Sequence, residues 1–353
     1  MGEPLKRSAA IAILVLALGV PACGLSATAV PIAPTTAAPV VTTSLPPVAT
    51  PIMIAATPAQ ADTGSGPTLG GCPLFPADNA WNTRVDALPL DPHSQAWIDS
   101  IGRDTGFHMD FGSGTWDGGP IGIPYNLADA GTPKFTLTFY YPDESDPGPY
   151  PIPANPNIEW GSDHHILSVD TSPCKLYEIY DASLSGGAWS GGSGAVWDLR
   201  TNDLRPAGWT SADAAGLPML PGLVRYDELA SGAILHALRF TAEATDGYIW
   251  PARHLTSDDG NPNVPPMGAR FRLKASFDIS PYPPLMQVLL GAMQKYGIIL
   301  ADNGSDWYVS GAPDPRFDND MLHLLDKLTG NDFEAVDTSA LMIDPNSGQA
   351  RQP

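Results

Sequence analysis

Apolar and polar positions alternate at a period of two in several short runs of the chain, and at a helical period in few. The runs 134–141 (KFTLTFYY), 164–170 (HHILSVD), 175–182 (KLYEIYDA), 194–200 (GAVWDLR), 234–241 (ILHALRFT), 248–254 (YIWPARH) and 269–279 (ARFRLKASFDI) are rich in β-branched and aromatic residues. Gly and Pro punctuate the chain between them, and that pattern predicts strands. Strands at this spacing, with turn-rich loops between them, predict an all-β domain: a β-sandwich or jelly roll with a few peripheral helices. Helices are expected at 92–102, 210–220, 283–297 and 318–330. The clearest is 283–297, where Leu285, Val288, Leu289, Ala292, Met293 and Tyr296 share a face and Gly297 gives a stop signal. Residues 298–311 read as a hairpin turning at Asn303-Gly304. The loop 142–161 is too proline-rich for regular structure, and loops of that length in compact domains are often binding elements.

The N-terminal part follows a different pattern. Lys6 and Arg7 precede a short apolar run and then small residues. This is the layout of a secretory signal segment, assigned to 1–23. The sequence VPAC, ending at Cys23, resembles the lipobox of bacterial lipoproteins, which implies membrane attachment through a lipidated Cys23. Residues 24–70 are rich in Pro, Thr and Ala and read as a disordered stalk. The remainder, 71–345, is expected to form one β-rich domain. Acids outnumber bases 38 to 18, for a net charge of −20. Such a surface repels nucleic acid and anionic membranes, so no nucleic-acid partner is expected. Of three cysteines, Cys72 and Cys174 are expected to pair in an oxidising exterior.

Strand parity sorts the candidate chemistry. In HHILSVD, His165 shares a face with Leu167 and Val169, whereas His164 lies with Ser168 and Asp170. His165, with Asp163 at the strand entrance, is therefore the histidine on the apolar side. Its ordinary alternative is a hydrogen-bonded core residue. Glu178 lies with Leu176 and Tyr180, and His236 with Ile234, Leu238 and Phe240, while Arg239 points the other way. An ionisable group on an apolar face must be paired, neutral or functional. Glu178 and Asp198 form the expected carboxylate pair, with Asp163 in reserve, positioned by His165, His236, His254 and Arg239. Trp160, Trp197 and Trp250, with Tyr180 and Arg253, are the expected substrate-binding side chains, since flat rings stack on pyranose faces. The ordinary alternative is an aromatic core. Arg270, Arg272 and Lys274 form a basic stripe, read either as a seat for an anionic polymer or as a face paired with cross-strand acids.

Neither an HExxH nor a CxxC pattern occurs, DNGSD (302–306) lacks a full calcium loop, and no GxSxG elbow or nucleotide loop is present. No metal or cofactor is expected. The stretches CPLFPADNAWNT, RPAGWTSADAAGLPMLPGLVRYDE, YIWPARH, PPMGARFRLKASFDIS and KYGIILADNGSDWYVSG resemble a set of secreted bacterial proteins with no assigned activity. The resemblance spans most of 72–341 and implies a secreted single domain. It supplies no site residues. The leading expectation is a secreted glycoside hydrolase acting on an extracellular polysaccharide or cell-wall glycan through paired carboxylates. The alternatives are a polysaccharide lyase, with His165 or His236 and Tyr177 or Tyr180 as base and Arg239 neutralising a uronate, and a non-catalytic glycan-binding module.

Overall fold

The computed structural model describes residues 66–353. The expected signal segment 1–23, including Cys23, and the stalk as far as residue 65 lie outside the described residues. Ten strands build two larger sheets: β1 (His108–Asp110), β2 (Tyr125–Ala128), β3 (Ile166–Asp170), β4 (Lys175–Tyr180), β5 (Ser193–Asp198), β6 (Leu238–Ala242), β7 (Arg270–Leu273), β8 (Ile298–Asn303), β9 (Tyr308–Ser310) and β10 (Phe333–Val336). The helices are α1 (Ser94–Ile101), α2 (Tyr226–Ser231), α3 (Pro284–Lys295) and α4 (Asn319–Leu322). The four-stranded sheet runs β5-β4-β3-β2 and the six-stranded sheet β10-β7-β8-β6-β9-β1. Three of their strand pairs, β2 with β3, β6 with β8 and β9 with β1, are parallel. The expected β-rich domain with few short helices is what forms.

Alternation decides what each face meets. Leu167, Val169, Leu176, Ala195 and Trp197 leave the four-stranded sheet on one side and join Ile299 and Ala301 of β8 in a shared apolar cluster. On the other face of the six-stranded sheet, Leu238, Phe240, Phe271, Leu273 and Leu300 pack on Trp97, Ile101, Leu289 and Met293 of α1 and α3. The far face of the four-stranded sheet is covered by Leu137, Tyr150, Ile152 and Trp189. Each fully buried side chain of this size contributes roughly 1.5–3 kcal/mol. Cys72 and Cys174 are bonded, with a Cα–Cα distance of 5.4 Å, tying the short ribbon at 68–73 to the start of β4. Among the described residues no helix is long and apolar enough to cross a membrane.

Several local expectations give way to tertiary structure. The expected helix 210–220 is an irregular loop, because Ser211 Oγ bonds the carbonyls of Asp213 and Leu217 and Gly216 sits at φ +68. Side-chain bonds of this type compete with helix formation. Residues 298–311 are not a hairpin: β6 lies between β8 and β9 and pairs with both. The segment 248–254 forms only an isolated bridge from Tyr248 to Met267. The helix expected over 318–330 is one α turn followed by a 3-10 turn. Folded contacts also extend past 71–345, from the pairing of Thr68–Leu69 to the bridge between Met342 and Ala350.

Candidate functional site

Arg239 is the centre of a buried charge network. Leu238 and Phe240 face the helices, so Arg239 between them points into the layer shared by the two sheets. Its Nε and Nη2 donate to the two oxygens of Asp213 at 2.8 and 2.7 Å, and Nη2 also reaches Asp302 at 3.0 Å. Nη1 donates to Ser310 Oγ at 2.6 Å. This is a bidentate guanidinium–carboxylate fork with a second carboxylate beside it. Burial works against the cation, but Asp213 and the other carboxylates hold Arg239 protonated well above its ordinary value. Gly222 packs against the stem of this arginine, and a Cβ there would lie 2.9 Å from Arg239 Cβ.

A β-bulge delivers Asp302. Phe240 pairs with Leu300, but Thr241 pairs with Asp302, so Ala301 is extra. Strict alternation from Ile299 and Ala301 would turn Asp302 toward the helices. The bulge turns it back toward Arg239. Burial raises its carboxyl pKa, and the charge of Asp213 raises it further, more than Arg239 can offset. The neighbouring Asp213 carboxylate thus favours the protonated form of Asp302. Asp302 is the accessible member, with 23% of its side chain exposed against none for Asp213.

The second arm comes from the 142–161 loop. The Glu159 N–H donates to the His165 carbonyl at 3.0 Å, and Glu159 Oε2 binds His165 Nδ1 in a short contact. His165 Nε2 lies 2.9 Å from the Ala212 carbonyl, which can only accept, so this nitrogen carries a proton. Burial opposes the imidazolium, but the bond and charge of Glu159 push His165 up to about 9. Burial likewise opposes ionisation of Glu159. His165 outweighs it, with help from Arg239, and holds Glu159 below the ordinary carboxylate range. Asp110, exposed at the end of β1, is within electrostatic reach of the group: desolvation raises its carboxyl pKa, His108 lowers it and Glu159 raises it.

The expected site residues divide accordingly. His165, Arg239 and Tyr180 come together, the Tyr180 ring lying 5.6 Å from that of His165. Asp163 stands exposed at the rim, bonded to Ser162 Oγ at 3.0 Å. Glu178 borders the network from inside the protein. Both its oxygens accept from Met219 N–H at 3.0 Å, and Oε1 also accepts from Leu220 at 2.9 Å. Burial pushes it up to about 7 despite these bonds. Asp198 is elsewhere. It pairs with Lys175, on the face opposite Glu178, and caps the Arg200 N–H at 3.0 Å. Glu178 and Asp198 therefore do not flank a common bond. His236 is fully buried in a separate pair with Glu228, at 3.1 Å, beside Arg225. His254 bonds the Ala214 carbonyl at 2.8 Å and lies 4.0 Å from Glu144.

Among the aromatics, Trp160 is exposed, whereas Trp197 is core and Trp250 bonds the Ser347 carbonyl at 2.8 Å in a small peripheral cluster. Arg253 is spent on Arg205, Pro345 and Asn346. The basic stripe is not a seat for a polyanion. Arg270 is buried on the carbonyls of Tyr296, Ala80 and Thr83, and Arg272 bonds its cross-strand partner Glu334 at 2.8 Å.

Glu159, Asp163 and His165 have ligand atoms within 4.8 Å of one another, a spacing that suits a cation. His165 Nε2 donates to the Ala212 carbonyl and Nδ1 meets Glu159 Oε2, so a cation here would have to displace the proton shared by Nδ1 and Glu159. Residues 159, 213, 302 and 110 were not expected from the pattern of the chain. Comparison with family models, with curated proteins and with solved structures gives no match to this chain.

Proposed function

We propose that the protein is an extracellular glycoside hydrolase in which Asp302 is the general acid and Glu159 the ionised carboxylate partner. The observation that supports this is the divergence of two carboxyls around one arginine. Burial and the charge of Asp213 hold a proton on Asp302, while His165 keeps Glu159 charged. Glycosidic cleavage needs that division: a proton for the departing oxygen and a carboxylate for the anomeric carbon, as base or nucleophile. Arg239 and Asp213 hold Asp302 in place, and His165 orients Glu159. Trp160, the residue after Glu159, offers an exposed ring to a sugar face.

A lyase is less well supported. Arg239, its expected counter-ion for a uronate, already binds Asp213, Asp302 and Ser310 through Nε, Nη2 and Nη1. Asp110, Glu159, Asp163, Asp213 and Asp302 would repel a uronate. Secretion, with attachment through Cys23, accompanies this reading, and the disulfide is compatible with an oxidising exterior. The accompanying fold reading is a β-sandwich, supported by the apolar layer shared by the two larger sheets. The test is a panel of soluble polysaccharides assayed for new reducing ends. Reducing ends without an ultraviolet-absorbing unsaturated product support the hydrolase. An unsaturated product would replace it with the lyase, and binding without turnover would replace it with a glycan-binding module.

A further inference from the structure

Trp160 is held in a way that solvent-exposed tryptophans seldom need. Thr115–Trp116 pairs with Gly119–Pro120 across a two-residue turn, Asp117-Gly118, both at positive φ. This is the Asp-Gly hairpin that favours a type I′ turn. The Trp160 indole lies directly on its glycine strand. A Cβ on Gly119 would fall 2.0 Å from Trp160 Cγ, and one on Gly118 would fall 3.4 Å from Cζ2. The indole N–H donates to the Asp117 carbonyl at 3.0 Å. Backbone contact and one hydrogen bond thus fix the ring while 54% of the residue stays in solvent. Trp116 on the same hairpin is 77% exposed. Folding alone gives no reason to leave both the Trp116 indole of the hairpin and the Trp160 indole laid across it in water. Holding them rigid removes the ordering cost that a binding surface otherwise pays.

The same hairpin walls a groove of about 610 Å³, whose lining includes Thr115, Pro120, Tyr125, Asn157, Ile158 and Pro313. The groove's lining residues neighbour the acidic cluster along the chain on both sides. Ile158 precedes Glu159, and Gly112 and Ala312, which also line it, follow Asp110 and Ser310 by two residues. Its volume falls in the range that encloses a drug-sized ligand, more than one sugar ring requires.

We propose that the Gly118–Gly119 hairpin, with Trp160 and Trp116, is a stacking platform for a multi-residue, uncharged glycan chain whose neighbouring residues occupy this groove. The proposal rests on the hydrolase reading and narrows its substrate. The indoles and the groove's prolines present apolar faces to pyranose rings. Asp117, Glu159 and Asp163 accept hydrogen bonds from hydroxyls and repel carboxylates.

The test measures binding separately from turnover. The full chain carrying Asp302→Asn is titrated with soluble neutral mannan, with hydroxyethylcellulose and with polygalacturonate, following tryptophan fluorescence and heat. A neutral polymer should bind and polygalacturonate should not. Adding Trp160→Ala, Trp116→Ala or Gly119→Ala should weaken the neutral polymer by about tenfold or more. Leu184→Ala, an exposed apolar change on another sheet, should leave it unaltered. Neutral-polymer affinity that survives all three changes overturns the platform but leaves the hydrolase reading standing. Preferential binding of polygalacturonate overturns the uncharged-substrate assignment. Absence of binding by every polymer, with no reducing ends released by the wild type, overturns both.

Discussion

Replacing Arg239 with methionine removes the one cation that compensates Asp213. The guanidinium makes four hydrogen bonds here, two of them to a carboxylate with no exposed side-chain surface. Methionine matches the stem of arginine and fills most of its volume, so packing loss is small and the electrostatic change dominates. Breaking a buried ion pair by removing one partner costs about 3–5 kcal/mol, because the other charge stays buried. At about 2–4 °C per kcal/mol for a domain of this order, the melting temperature falls by roughly 6–20 °C. The assay is guanidinium unfolding followed by tryptophan fluorescence at pH 7 and again at pH 4. Arg239 is also the charge that lowers the raised carboxyl pKa of Asp302, so its loss lifts that folded value further above the unfolded one, and the defect grows as pH rises above the ordinary carboxylate range. Adding Asp213→Asn should recover part of the loss, giving a clear non-additive coupling. A cost below about 1 kcal/mol, or a defect identical at pH 4 and pH 7 with no coupling, would refute the view of Arg239 as the charge that holds this site together.

Other consequences are equally measurable. Glu178 holds its proton to about 7 when folded, against 4.5 when unfolded, so between those values the folded state binds the extra proton and stability falls with rising pH, by roughly 3 kcal/mol. His165, raised from 6.5 to about 9, continues the decline over that interval, since its stabilisation is complete below 6.5 and lost above 9. Denaturation midpoints should therefore be highest near pH 5 and fall toward pH 9, and Glu178→Gln should flatten the first part of the slope; a midpoint that rises from pH 5 to 9 contradicts both assignments. Replacing Cys72 and Cys174 together by serine opens a loop spanning 102 residues of separation and should cost about 4–5 kcal/mol, read as a shift of the unfolding midpoint under non-reducing conditions.

The alternation of HHILSVD and KLYEIYDA was enough to place Leu167, Val169, Leu176 and Glu178 on one face, and the helical period of 283–297 marked α3. It also separated the buried His165 from His164, whose side chain stands half in solvent beside Asp181. The site itself was less legible, for identifiable reasons. Asp302 faces Arg239 only because a bulge skips Ala301, and a period-two reading sends it the other way. Asp213 sits in a stretch whose composition suits a helix but whose Ser211 side chain takes over the backbone bonds. Glu159 lies in a proline-rich loop with no periodicity to orient it. Glu178 and Asp198 lie on adjacent strands, yet the register puts their side chains on opposite faces. The Asp117-Gly118 turn is a recognisable hairpin signal, but nothing local reveals that Trp160, 43 residues from Asp117, lies across it.

The roles of Asp302 and Glu159 are decided by kcat/KM on whichever neutral polysaccharide the wild-type chain cleaves, measured for Asp302→Asn and Glu159→Gln across pH. Loss of a general acid or base costs about 10²–10⁴-fold. Both variants should fall by that order while remaining folded, and Asp302→Asn should lose the alkaline limb of the pH profile, which belongs to the proton it carries. Turnover within a few-fold of wild type in either variant, with an unchanged pH profile, would show that the chemistry lies elsewhere.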